Sequence, residues 1–234
     1  MNDAPQPIIV DLSRVSLRHL HQQLHGLSPD NDQAWWHLIN PRGAHSVAVG
    51  LNAPVAVTID GHVGYYAAGM NALARVIING NAGPGVAENM MSGEVRVAGD
   101  ASMAAGSSGC GGLLVIDGKA GARCGISLKG LDIVVRGSVG HMSAFMAQQG
   151  NLVVCGDAGD ALGDSLYEAR IFVRGKVRSL GADCENKPMG AADRATLQDL
   201  LARAGYADMA ASEFRLFGSA RRLYHFHVDN ARSY

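Results

Sequence analysis

The chain has 234 residues, 47% of them hydrophobic and 18% charged, with a formal net charge of -1. That length and apolar share suffice for one sizeable core, and near-neutrality without a polybasic run removes the electrostatic footprint of a nucleic-acid binder. No stretch approaches the roughly 20 apolar residues of a membrane span, and the start MNDAPQPIIVD lacks the basic opening and apolar run of a secretory leader, so the expected location is cytoplasmic.

In chain order, the first predicted element is a helix from about Ser16 to His25, with Leu17, Leu20 and Leu24 at helical spacing. A loop containing Pro, Asp and Asn follows between Ser28 and Asp32. This gives an N-terminal cap over residues 1–50.

From residue 51 a fixed period takes over. Seven glycines recur every 19 residues: Gly61, Gly80, Gly99, Gly118, Gly137, Gly156 and Gly175. Two residues before each stand Ile59, Ile78, Val97, Ile116, Val135, Val154 and Val173, and four before stand Val57, Val76, Val95, Leu114, Ile133, Leu152 and Ile171. Every unit therefore carries a short strand with one apolar face. The position after the glycine is polar throughout (His62, Asn81, Asp100, Lys119, Ser138, Asp157, Lys176), and the next is always Ala or Val, as expected of an inward corner. Seven residues after the glycine the side chain is always Ala or Gly. The glycines are expected to supply positive φ at the corners.

One such unit cannot bury its apolar side alone, but stacked units pair each strand with its neighbours and merge the inward aliphatics into one core. The fold class expected is all-β: a single-stranded parallel β-helix of seven turns over residues 51–190, right-handed, with short helical caps at both ends. At about 4.8 Å per turn the rod is on the order of 34 Å long. Its open ends need covering. After the repeats, Asp193 to Ala204 reads as a helix with Leu197, Leu200 and Leu201 on one face and Gly205 as its stop. Glu213 to Asn230 mixes aromatic residues with Arg215, Arg221 and Arg222, completing a C-terminal helix and docking tail over residues 191–234.

Catalytic equipment is sparse. Cys110, Cys124, Cys155 and Cys184 are separated, with no Cys-x-x-Cys pair, and read as free thiols. His62 and His141 lack a sequence-local carboxylate and nucleophile and read as corner or surface residues, and His225 and His227 are too few for a metal site. The clusters at Gly80–Gly85 and Ser107–Gly112 complete no Walker pattern and fall in register with the corners. No catalytic, cofactor-binding or metal-ligating residue is expected.

The repeat, with Glu88-Asn-Met-Met-Ser-Gly93 and Ala104-Ala-Gly-Ser-Ser-Gly-Cys-Gly-Gly112, resembles the C-terminal GXGXG β-helix domain of the glutamate synthase large subunit across roughly residues 55 to 190. Asn40-Pro-Arg-Gly-Ala-His45, Gly64-Tyr-Tyr-Ala-Ala-Gly-Met-Asn71, Gly140-His-Met-Ser-Ala-Phe-Met-Ala147 and Asp183-Cys resemble the stand-alone β-helix subunit of this family in N-methylglutamate synthase. The resemblance implies a non-catalytic subunit of a hetero-oligomer. One partner would be a class II glutamine-amidotransferase-like subunit and the other a glutamate-synthase-like subunit carrying FMN and an iron-sulfur cluster. The complex would make N-methylglutamate from glutamate and methylamine with release of ammonia.

Positions where large or charged groups interrupt the repeat are candidate interface residues: Tyr65, Tyr66, Glu88, Arg123, His141, Phe145 and Tyr167. Ordinary loop decoration is the equal alternative for each. Three rival readings stand beside the scaffold: the glycine-rich β-helix component of formylmethanofuran dehydrogenase or of its formyltransferase-hydrolase counterpart, an acyltransferase of the hexapeptide-repeat type, and a free-standing binding solenoid. The 18-residue turn of the hexapeptide type disagrees with the period found here.

Overall fold

The computed structural model describes residues 6–28 and 35–222. It is a parallel β-solenoid. Seven strands, β3 (Ala56–Asp60), β4 (Arg75–Asn79), β5 (Glu94–Val97), β6 (Leu113–Ile116), β7 (Lys129–Val135), β8 (Gln149–Val154) and β9 (Arg170–Val173), pair in parallel, each with the next. The register follows the sequence period, so that Val57, Val76, Val95, Leu114, Ile133, Leu152 and Ile171 stand in one row. Every member of this row and of the row two residues on is exposed by 1% or less. The inward faces thus form one continuous apolar column along the coil axis.

Each coil makes a second parallel contact at the Ala/Val position, from Val63 opposite Ala82 through to Ala158 opposite Val177. The polar position just before it is a ladder. His62 Nδ1 accepts from the Asn81 N–H at 2.9 Å, Asn81 Oδ1 from Asp100, Asp100 Oδ1 from Lys119, Ser138 Oγ from Asp157, and Asp157 Oδ1 from Lys176. Lys119 breaks the chain because an ammonium has no acceptor.

The corner glycines work differently from the expectation. Of the seven, only Gly61 has a positive φ. The others are required by close approach: a Cβ on Gly80 would lie 2.4 Å from the Gly61 carbonyl oxygen, and one on Gly137 2.5 Å from that of Gly118. Positive φ falls instead five, seven and nine residues after each of the first six corners, at residues such as Tyr66, Ala68 and Met70 or Met142, Ala144 and Met146. In those six coils the middle position is buried, which explains why it is Ala or Gly there. A Cβ on Gly106 would lie 2.6 Å from Ile133 Cδ1.

The parallel ladder begins before the 19-residue period does. β1 (Ile8–Asp11) and β2 (Trp35–Ile39) pair in parallel, and β2 pairs with β3. Between β1 and β2, α1 (Leu17–His25) starts at Ser16, whose Oγ accepts from the His19 N–H, and buries Leu20 and Leu24 in the core at the N-terminal end. At the other end the chain reverses. β11 (Arg215–Ser219) runs antiparallel between β9 and β10 (Cys184–Lys187), so a returning strand covers the last coil.

α2 (Ala191–Arg203) lies on the flank of the solenoid and not across its end. Leu197, Leu200 and Leu201 pack on the outward residues Val115, Val134, Val153 and Phe172. Each such Leu contributes roughly 1.5–3 kcal/mol on burial. A polar lock fixes the helix exit: Arg96 donates to both Asp117 carboxylate oxygens at 2.9 and 2.7 Å and to the Ala204 carbonyl at 3.1 Å, while the Tyr206 hydroxyl donates to Asp117. Burial, then this bond, push the Tyr206 pKa up. The tail expected over Glu213 to Asn230 is described as far as residue 222; His225 and His227 lie outside the described residues.

Candidate functional site

The loops that join each corner to the next strand stack into a face opposite the sheet. Their backbone is pinned between coils by alternating bonds: the Tyr66 N–H donates forward to the Pro84 carbonyl at 2.9 Å, Ala68 back to Val47 at 2.9 Å, and Met70 forward to Glu88 at 2.7 Å. Left-handed backbone at a non-glycine residue costs of order 1–3 kcal/mol and persists where the surroundings over-determine it. Here the coils on either side do so, and the side chains five and nine residues after the corner are thereby held at fixed angles on the outside.

Because the coils repeat in register, residues at equal distance from their corner glycines share one strip of the rod. Tyr65 and His141 both stand four residues after a corner, Tyr66 and Arg123 five, and Glu88 and Phe145 eight. Six of the seven candidate interface residues therefore occupy three strips. Within them two groups form. Tyr65, Tyr66 and Glu88 gather near the N-terminal end, with the Tyr65 and Tyr66 rings edge-on at 5.8 Å and 83°. Burial raises the Glu88 carboxyl pKa, opposed by a hydrogen bond with Tyr66. Arg123, His141 and Phe145 gather further along, the Arg123 N–H donating to the His141 carbonyl at 2.9 Å and the Ser127 N–H to Phe145 at 2.8 Å. Tyr167 stands apart. It is half-buried and lines a cavity of about 220 Å³ with Glu168, Arg170, Lys187 and Arg221.

The structure adds residues that sequence reasoning passed over. His45 stacks on Tyr65 at 3.8 Å between centroids and accepts the Tyr65 N–H at Nδ1, so two separately recognised segments, residues 40–45 and 64–71, meet here. Met70, Met91, Met103 and Met146 stand on the same loop face, Met70 exposed by 55% and Met91 by 54%. Met70 and Met146 were visible in the sequence as apolar residues at a loop position where other coils carry Asn89 and Ser108. Asn71, in contrast, stands in an interior column shared with Met90, Leu128 and Leu166. Its Nδ2 donates to the Ala74 and Ser92 carbonyls at 2.9 and 3.1 Å, and its Oδ1 is buried without a partner.

The remaining candidate chemistry resolves into structure. His62 is the first rung of the corner ladder. Burial pushes the Cys124 thiol up to about 12, Cys155 to about 11 and Cys184 to about 12, whereas Cys110 is exposed. Among the described residues no group of three or more His, Cys, Asp and Glu stands at metal-binding distance, and no helix is long and apolar enough to cross a membrane.

No protein-family model matches the chain. A curated relative does: Protein GlxC of Rhizobium meliloti (strain 1021) is 56% identical over 226 residues, which cover 97% of this chain and 99% of the relative. A match of that extent takes in the whole solenoid together with α1 and α2, and the chain belongs to the GlxC family.

Proposed function

We propose that this chain is the non-catalytic β-solenoid subunit of a glutamate-synthase-like complex, an N-methylglutamate synthase that converts glutamate and methylamine to N-methylglutamate and ammonia. In this reading it holds an amidotransferase-like subunit and an FMN and iron-sulfur subunit at a fixed separation. The observation that supports it is the loop face: Tyr65, Tyr66, Met70, Met91 and Met103 expose large apolar side chains on a rigid surface, and Tyr and Met are among the residues enriched where partners dock. Tyr65 and Met103 share one strip of the rod, and Tyr66 lies in the next. Because the strip is stiff, a partner seated on it is placed along the coil axis as well as bound. Reactive centres carried by two such partners keep a constant distance.

The experiment is co-expression of the chain with the two partner subunits, followed by co-purification and assay of glutamate-dependent N-methylglutamate formation. The expected result is activity from the three-subunit assembly and none from this chain alone. Replacing Tyr65, Tyr66 and Met103 together by Glu is expected to abolish co-purification while leaving the chain folded. Activity from the isolated chain, or assembly unaffected by the triple replacement, would overturn the assignment.

A further inference from the structure

α1 closes the first coil with two histidine rings. His21 and His25 are one turn apart, with rings stacked 5.5 Å between centroids and 6° from coplanar. His25 Nε2 lies 2.8 Å from the Val49 carbonyl, which as an acceptor assigns the proton to that nitrogen. His21 Nε2 is buried and has no hydrogen-bond partner. On the same helix Leu20 and Leu24 are buried to 0% and 1%, in the core cluster that also holds Val47 and Leu51 of the coil.

A neutral imidazole fits this seat. An imidazolium does not, because its second N–H would be buried without an acceptor, against the stacked ring of His25. We propose that α1 is a proton-sensitive lid over the N-terminal end of the solenoid, docked while His21 is neutral and released when it is protonated.

Among the described residues a single backbone hydrogen bond opposes the cost of charging His21. On its own helix His21 meets His25, and from the coil below it meets the Ser46 backbone, whose hydrogen bond is the one influence that favours the charged form. No carboxylate is among the groups acting on His21 within the described residues. His45 of the same coil is turned to Tyr65. Burial first and His25 second lower the His21 pKa from 6.5. A lowered folded-state pKa means that the unfolded or undocked form takes up the proton more readily. Docking is therefore at full strength above about pH 6.5 and weakens as the pH falls below it. Release uncovers Leu20, Leu24, Val47 and Leu51 at one end of the rod only. The lid would act at this end of the rod whichever partners the loop face receives.

The test is hydrogen exchange on the full chain at about pH 7.5 and about pH 5.5, corrected for the intrinsic pH dependence of exchange. Peptides covering residues 17–25 are expected to lose protection several-fold at the lower pH, while peptides over β5 to β8 keep theirs. His21→Asn, which retains a donor toward Ser46, is expected to flatten the response, and His25→Asn to reduce it. Unchanged protection of residues 17–25 in the wild type, or an equal loss in His21→Asn, would overturn the proposal. Should either variant fail to fold, the NMR titration of His21 in the wild type decides: a value at or above 6.5 refutes the lid.

Discussion

Replacing Gly137 by Ala tests why the corners are glycine. The added Cβ would lie 2.5 Å from the Gly118 carbonyl oxygen, 2.9 Å from its carbon and 2.9 Å from Lys119 Cγ. An unstrained carbon-to-oxygen contact is about 3.3 Å, so the two coils must part by about 0.8 Å. That same oxygen accepts the Gly137 N–H at 2.8 Å. The separation carries this bond to about 3.6 Å, beyond hydrogen-bonding range. Losing it costs about 1 kcal/mol and forcing the contact about 1–3 kcal/mol, for a total of about 2–4 kcal/mol. Gly205→Ala is the control: its φ is +83 but nothing lies within 4 Å, so only the left-handed cost of about 1–2 kcal/mol applies. Urea denaturation of both variants, with hydrogen exchange to show whether protection drops across the coils on either side of Gly137, reads the difference. A Gly137→Ala variant as stable as Gly205→Ala would refute close approach as the reason for the glycines.

Leu114→Ala, at a fully buried central position, is expected to cost about 2–5 kcal/mol by the same denaturation measurement. Tyr206→Phe removes one donor from the Asp117 carboxylate and is expected to cost about 1–2 kcal/mol and to raise exchange in α2 more than in the coils. A colorimetric thiol reagent at about pH 8 is expected to label Cys110 rapidly and Cys124, Cys155 and Cys184 only on unfolding, since burial raises the latter three thiols. Hydrogen bonds from Asn79 and His37 lower the Asp60 pKa from 3.8, so its contribution to stability is present above that value and lost as the pH falls through the folded-state value. Asp60→Asn should therefore show a shallower acid limb in a pH-stability profile.

Much of the architecture was legible because its period is stricter than any local propensity. The rows of Val57 and Ile59 marked the core, and the 19-residue spacing marked the register. The first coils escaped that ruler for a metric reason: Trp35 lies opposite Ala56, a step of 21 residues, and α1 is looped out between β1 and β2. The seat of α2 was written in the outward row, where Thr58 and Arg96 give way to Val115, Val134, Val153 and Phe172, but an outward apolar row has meaning only once something is known to cover it. β11 was hidden because an antiparallel return carries no repeat signal. On the loop face, large side chains such as Tyr65 and Phe145 were visible, whereas the contact of His45 with Tyr65 depends on packing across coils that sequence adjacency does not report.

The corner ladder carries a consequence for how such a molecule can change over time. Each rung's acceptor from His62 to Asp157, Lys119 excepted, receives the amide of the next coil, so residues inserted mid-coil must bulge out of that coil if its own rungs are to stay in register. Gain or loss of a whole coil leaves the rest in phase. The length of the rod along its axis therefore changes by whole coils, about 4.8 Å each, and a spacing it sets between other molecules along that axis changes in the same increments.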